Sequence, residues 1–182
     1  MAIREGLLAE FDHEMASTRR LLACITDDRL AWSPHPRART LGALCAHIAA
    51  ITEWSTPILE HDRVDLDDVV QGPEEVASAA ALLARFAAGA ARARAQLDRS
   101  DAELAAPWSL RQRGGELFSL PRAAAFRTFV LGHVVHHRGQ LSVYLRLNDI
   151  AVPPIYGPTA DSRRTEKSDV GSQKRATSDS DF

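Results

Sequence analysis

Apolar residues recur at helical spacing in four stretches of this 182-residue chain. In the first, Leu8, Phe11, Met15, Thr18, Leu22 and Ile25 advance by alternating steps of three and four, which keeps them on one face. The pattern predicts a helix from about Ile3 to Ile25, with Glu10, Arg19 and Arg20 turned elsewhere. Asp27-Asp28 and then Ser33-Pro34-His35-Pro36 end it, because proline restricts its predecessor and cannot continue the ladder. A second stripe, Leu44, His47, Ile51, Trp54 and Ile58, follows Thr40, whose hydroxyl suits an N-cap. Pro57 is expected to kink or end that helix. The aspartate-rich segment from Glu60 to Gly72 reads as a loop.

Pro73-Glu74-Glu75 predicts the third start, with proline in the first turn and acids at the positive end of the dipole. Val76, Ala79, Leu83, Phe86, Ala90, Ala93 and Leu97 then carry the stripe. From Asp98 to Leu120 the period is lost. Pro107-Trp108 and Gly114-Gly115 mark a long connection holding one short helical turn at most. The last helix is expected from Pro121 to about Leu147, closed by Asn148-Asp149 and Pro153-Pro154.

Composition supports a helical fold. The chain has 30 alanines, eleven of them between Ala77 and Ala95, and alanine loses no side-chain entropy in a helix. The expected fold is all-α, a four-helix bundle with a long connection before its last helix. From Thr159 onward only Val170 and Phe182 are large and apolar, and five acids cancel five bases. Such a segment buries too little to offset the entropy of ordering it. One domain over residues 1–161 and a disordered polar tail over 162–182 are expected.

Charge and cysteine content narrow the function classes. Lys+Arg total 22 against Asp+Glu 24, a net charge of −2, which argues against an electrostatic nucleic-acid binder. No run approaches the roughly 20 apolar residues of a membrane span. Met1-Ala-Ile-Arg-Glu lacks the basic-then-apolar layout of a signal peptide. Cys24 and Cys45 cannot build a disulfide framework. A soluble cytoplasmic protein is the resulting expectation.

The chemistry concentrates in His133-Val-Val-His136-His137-Arg-Gly-Gln on the last helix. Residues four apart share a face with Cβ atoms about 5–6 Å apart. His133 and His137 therefore project side by side, in one stripe with Phe126, Phe129, Val130 and Tyr144. His136 falls at the edge of that stripe and Arg138 points away from it. Buried imidazole nitrogens need partners. Either neighbouring helices satisfy them, or both reach one metal ion at about 2.0–2.1 Å. His47 lies on the apolar stripe of the second helix and admits the same two readings. A bundle can bring it to the pair, giving three imidazoles with an open coordination position.

His13, His35 and His61 fall on surfaces or loops. Cys45 is turned about 160° from His47 and is a poor fourth ligand, and Cys24 reads as a small buried hydrophobe. Trp54 and Tyr144 lie one or two turns beyond the histidines, as pocket lining or as core. The glutamate of an HExxH protease is missing.

Three segments resemble the DinB/YfiT-like family of small bacterial helical proteins. They are Thr40-Leu-Gly-Ala-Leu-Cys-Ala-His47 with Glu53-Trp54, the run from His133 through His137-Arg-Gly-Gln-Leu-Ser-Val-Tyr-Leu-Arg, and Val152-Pro-Pro-Ile-Tyr-Gly-Pro-Thr-Ala-Asp161. The resemblance implies a divalent metal, zinc or nickel, held by His47, His133 and His137 at one end of the bundle. It also implies a homodimer. For the few relatives with assigned reactions, it implies transfer or isomerisation using a thiol such as bacillithiol or mycothiol.

The leading expectation is a metal-dependent enzyme acting on a small molecule through a bound thiol or water, with His136 as a candidate proton carrier. The rival is a non-enzymatic, damage- or stress-inducible metal-binding protein. A third reading is a structural helical dimer without metal.

Overall fold

The predicted stripes form helices where the caps allow it. The structure, a computed structural model, describes residues 2–69 and 77–162. Helix α1 spans Ile3–Leu22 and buries Leu7, Phe11, Met15, Leu21 and Leu22, together with the polar Glu14, Ser17 and Thr18. Its first free amides, Ile3 N and Arg4 N, donate to the carboxylate of Asp101 at 3.0 and 3.1 Å. That cap comes from a distant segment and satisfies donors the helix cannot satisfy itself.

Helix α2 (Leu41–Ile51) starts at the Thr40 cap, whose hydroxyl accepts from Ala43 N at 3.1 Å. The chain then tightens into a 3-10 turn over Thr52–Trp54 and continues as α3 (Ser55–Glu60). Pro57 neither kinks nor ends this path at its own position. It occupies the first turn of α3, where a missing N–H costs little. Its carbonyl accepts from Trp108 Nε1 at 3.0 Å.

Helix α4 (Ala79–Gln96) begins after the extended Ser78, whose hydroxyl accepts from Ala81 N. The predicted start at Pro73 and Val76 lies outside the described residues. The polar tail falls there too, from residue 163 onward.

The all-α expectation is corrected between α3 and the last helix. Helix α5 (Asp101–Ala105) carries a capping box made by Ser100 and Glu103. It leads into β2 (Pro107–Gln112) and β3 (Gly115–Pro121), an antiparallel hairpin turning over Arg113-Gly114 at φ 52° and 71°. Positive φ at both central residues is the two-residue hairpin geometry, and glycine takes it without strain. Strand β1 (Arg63–Asp65), inside the segment read as a loop, pairs parallel with β2. The three-stranded sheet holds because Trp108 and Leu110 alternate inward into the core while their neighbours face out.

The final helical path runs through α6 (Arg122–Phe126), a π-helical segment over Arg127–Gly132, and α7 (His133–Leu147). Helices α1 and α2 each pack against both α4 and α7, around a core that includes Phe11, Ile48, Phe86 and Leu141. The fold is therefore mostly helical with a small sheet. Among the described residues, no helix is long and apolar enough to cross a membrane.

Two helical glycines should respond oppositely to alanine. A Cβ on Gly89 would lie 2.1 Å from Oγ1 of the buried Thr52, where α4 crosses the end of α2. Gly89→Ala should destabilise the fold by about 1–3 kcal/mol. Gly139 on α7 has open space around its Cβ position. Gly139→Ala should stabilise by about 0.5–1 kcal/mol. Urea denaturation of the two variants checks both signs.

Candidate metal centre

Three histidines converge at the contact between α2 and α7. His47 sits in the seventh position of α2, while His133 opens α7 and His137 follows one turn later. One donor nitrogen from each lies within 4.8 Å of the others. The Nε2 atoms of His47 and His133 are 3.2 Å apart, and the His47 ring centroid lies 4.5 Å from that of His137. Two imidazoles bound tetrahedrally to one ion at about 2.05 Å place their nitrogens about 3.3 Å apart. The 3.2 Å spacing of the His47 and His133 nitrogens matches that, within a cluster whose three donors lie within 4.8 Å.

A second partner orients one of the rings. His137 Nδ1 lies 2.8 Å from Oε1 of Gln140, an oxygen that only accepts, so Nδ1 carries the proton and Nε2 keeps a lone pair. The same amide's Nε2 lies 3.2 Å from Nε2 of the exposed His136, placing His136 as acceptor. The Phe129 backbone lies near enough to the His133 ring to oppose the fall in its pKa. Where the π segment ends, the His133 amide donates to Val130 O, three residues back. Ligating histidines commonly hold their second nitrogen as Gln140 holds that of His137.

This arrangement tests whether the residues fit a metal. Two imidazole Nε2 atoms, of His47 and His133, face each other at 3.2 Å. The contact is attractive only if one of them is protonated or a cation lies between them. The donor set, three imidazoles with no carboxylate, suits a borderline divalent ion. The residues fit.

Electrostatics favours the neutral ligand form. Burial lowers the pKa of His133, assisted by the charges of His137, His136 and Arg39, while the Phe129 bond opposes the shift. Burial also lowers His137, with Gln140 opposing and His136 and Arg39 assisting. Arg39 carries no motif and went unread in the sequence. Its carbonyl accepts from the hydroxyl of Tyr144 at 3.3 Å, which ties the segment before α2 to α7.

The other candidates are placed as follows. Tyr144 meets Trp32 edge-on at 5.4 Å, and Trp54 stacks on Phe129 at 6.0 Å. His136 is exposed, with its ring 4.7 Å from that of His137. His13, His35 and His61 are exposed as expected. Cys45 is buried, and burial pushes its thiol up to about 12, so it stays protonated and outside the ligand set. Arg138 does turn away from the histidine stripe, but into the protein: it is 1% exposed.

A family model described as the DinB superfamily matches residues 10–141. The fold is similar to that of a DinB-like protein from Bacillus cereus, at 24% identity and a TM-score of 0.63 over 84% of this chain and 97% of that one. A DinB-like protein from Bacillus subtilis gives 18% identity and a TM-score of 0.66 over 85% and 99%. No curated protein matches the chain.

The lowered histidine pKa values predict a pH dependence for the metal-free protein. Between their folded values and the usual 6.5, the unfolded chain binds more protons than the folded one. Stability is therefore complete above about 6.5 and is lost as pH falls from there through the lowered folded values. The hydrogen-bonded carboxylates of Asp101 and Glu103 act in a separate window, below 4.5. Urea midpoints should fall from pH 7.5 to pH 5, and a His133→Asn/His137→Asn variant should show a smaller fall. An equal fall in the variant would assign the effect to other groups.

Proposed function

The chain belongs to the DinB superfamily, and we propose that it binds one divalent metal ion, zinc or nickel, and uses it in a reaction on a small molecule. The observation that carries this reading is the convergence of three imidazole nitrogens within 4.8 Å, from two helices, with Gln140 partnering the outer nitrogen of His137. His47, His133 and His137 would hold the ion. A divalent ion there lowers the pKa of a bound thiol or water and so supplies a nucleophile near neutral pH.

The protein's own groups do the rest. The depressed pKa values of His133 and His137 keep these two ligands deprotonated at neutral pH. The field of Arg39 on the same two rings favours an anionic group at the ion, such as a thiolate. Gln140 links His137 to the exposed His136, which stands at the rim as a proton carrier between the site and water. Trp54 and Tyr144 flank the centre from opposite ends of the α2–α7 contact and shape the entry for an electrophile. The cosubstrate in this reading is a low-molecular-weight thiol, and the reaction is S-transfer or isomerisation.

Four helices acting as one bundle, a cytoplasmic setting and a homodimer complete the proposal. The outer face of α7 supports the last point, since Val143 and Leu147, four residues apart, are 55% and 57% exposed.

Elemental analysis of the purified chain should find about one equivalent of zinc or nickel, and His47→Ala should lose it. Metal-free protein showing no thermal shift with either ion would remove the proposal. With metal present, conjugation of a maleimide or chlorinated electrophile to a thiol should fall at least a hundredfold on chelation. A rate indifferent to chelation would leave a metal-binding protein without this catalysis.

A further inference from the structure

A face of α7 turned roughly 100–140° from the histidines carries a buried Glu14–Arg138 ion pair, with the largely exposed Tyr156 laid over it. Arg138 Nη1 lies 2.6 Å from Glu14 Oε2 and donates to Glu14 O at 3.1 Å and Thr18 Oγ1 at 3.4 Å, all on α1. Its Nη2 donates to the Tyr156 hydroxyl at 2.6 Å. That hydroxyl lies 3.0 and 3.1 Å from the two Glu14 carboxylate oxygens and donates its one proton there. The Tyr156 ring packs 5.0 Å from the guanidinium carbon, and His13 stacks beside that ring at 6.0 Å.

Stability alone does not account for such a network. Taking an arginine and a carboxylate out of water costs roughly what their attraction returns, and apolar replacements are often neutral or stabilising. Directional bonds do something apolar contacts cannot: they admit one rotation and one register of α7 against α1. That precision matters one residue away. With a ligand nitrogen roughly 6 Å from the helix axis, a turn of about 15° moves it by about 1.6 Å. Metal–nitrogen bonds tolerate roughly 0.2 Å.

We infer that the Glu14–Arg138–Tyr156 network sets the rotation of α7 so that His133 and His137 meet His47, which makes Arg138 a positioning residue of the metal centre. The inference rests on the metal-binding reading above. It assigns Tyr156, in the segment that follows α7, to the upkeep of their geometry.

The test separates positioning from stability. Arg138→Met alone strands Glu14 and is expected to unfold readily. Glu14→Leu/Arg138→Met removes both charges together and should resist urea at least as well as the parent. In the full chain, this double variant should nevertheless bind Co(II) at least tenfold more weakly, with a changed visible spectrum. Arg138→Lys, which keeps the ion pair but loses the fork, should fall between parent and double variant. Tyr156→Phe, which keeps the ion pair and the ring, should weaken Co(II) binding about threefold.

A double variant that is stable and binds Co(II) with parental affinity and spectrum would overturn the inference while leaving the metal centre intact. Should the double variant fail to fold, Tyr156→Phe decides, and parental binding there overturns it equally. A parent chain that takes up no Co(II) would overturn the metal reading and this one together.

Discussion

Three imidazole rings lie at the contact of α2 and α7, where part of their surrounding water has been replaced by protein. Each nitrogen withdrawn from water needs a partner, and an unmet one costs about as much as a lost hydrogen bond. The outer nitrogen of His137 is met by the amide oxygen of Gln140. The inner nitrogens of His47 and His133 face one another at 3.2 Å. Much of the surrounding architecture follows from holding that arrangement. Thr40 starts α2 in the register that brings His47 to the contact, and the π segment redirects the backbone at the head of α7.

The two faces of α7 solve opposite problems. The imidazole face keeps His133 and His137 neutral, because burial and the nearby charge of Arg39 disfavour protonation. The Arg138 face buries a full charge and neutralises it with Glu14. One helix thus carries an adaptable ligand set on one side and a rigid directional anchor on the other. The segment after α7 is fastened to the same assembly. Arg20 donates to Pro154 O at 3.2 Å, and Arg146 pairs with Asp161, which also accepts from Val152 N.

The histidine triad was legible in the sequence because its signal is local. An i, i+4 pair on an apolar stripe needs only helical periodicity to be read, and His47 lies on an equally clear stripe. The helices were legible for the same reason. Arg138 was placed on the correct face but its fate was not, since its partner Glu14 is 124 residues away and no local pattern says whether that face meets water or α1. The hairpin was missed although its marks were present. Trp108 and Leu110 alternate with polar neighbours, and Arg113-Gly114 suits a tight turn. Strands this short declare themselves through pairing, and β1 joins β2 from beyond α4 and α5.

Those overlooked strands bear on the site through Phe129. Its backbone lies beside the His133 ring, while its own ring is packed by Phe118 of β3 at 5.7 Å and 6°, by Trp108 of β2 at 5.7 Å, and by Trp54 at 6.0 Å. A residue held on several sides by large rings has little freedom to move its backbone. The small sheet therefore fixes the backbone beside one ligand, much as the Arg138 network fixes the helix that carries two. Orientation of the imidazoles rests on contacts from β2, β3, α1 and the segment after α7, well beyond the two helices that supply them. A three-histidine centre built from two helices depends on the fold around it for its angles, and here that support includes the segment whose sequence reads as a long connection.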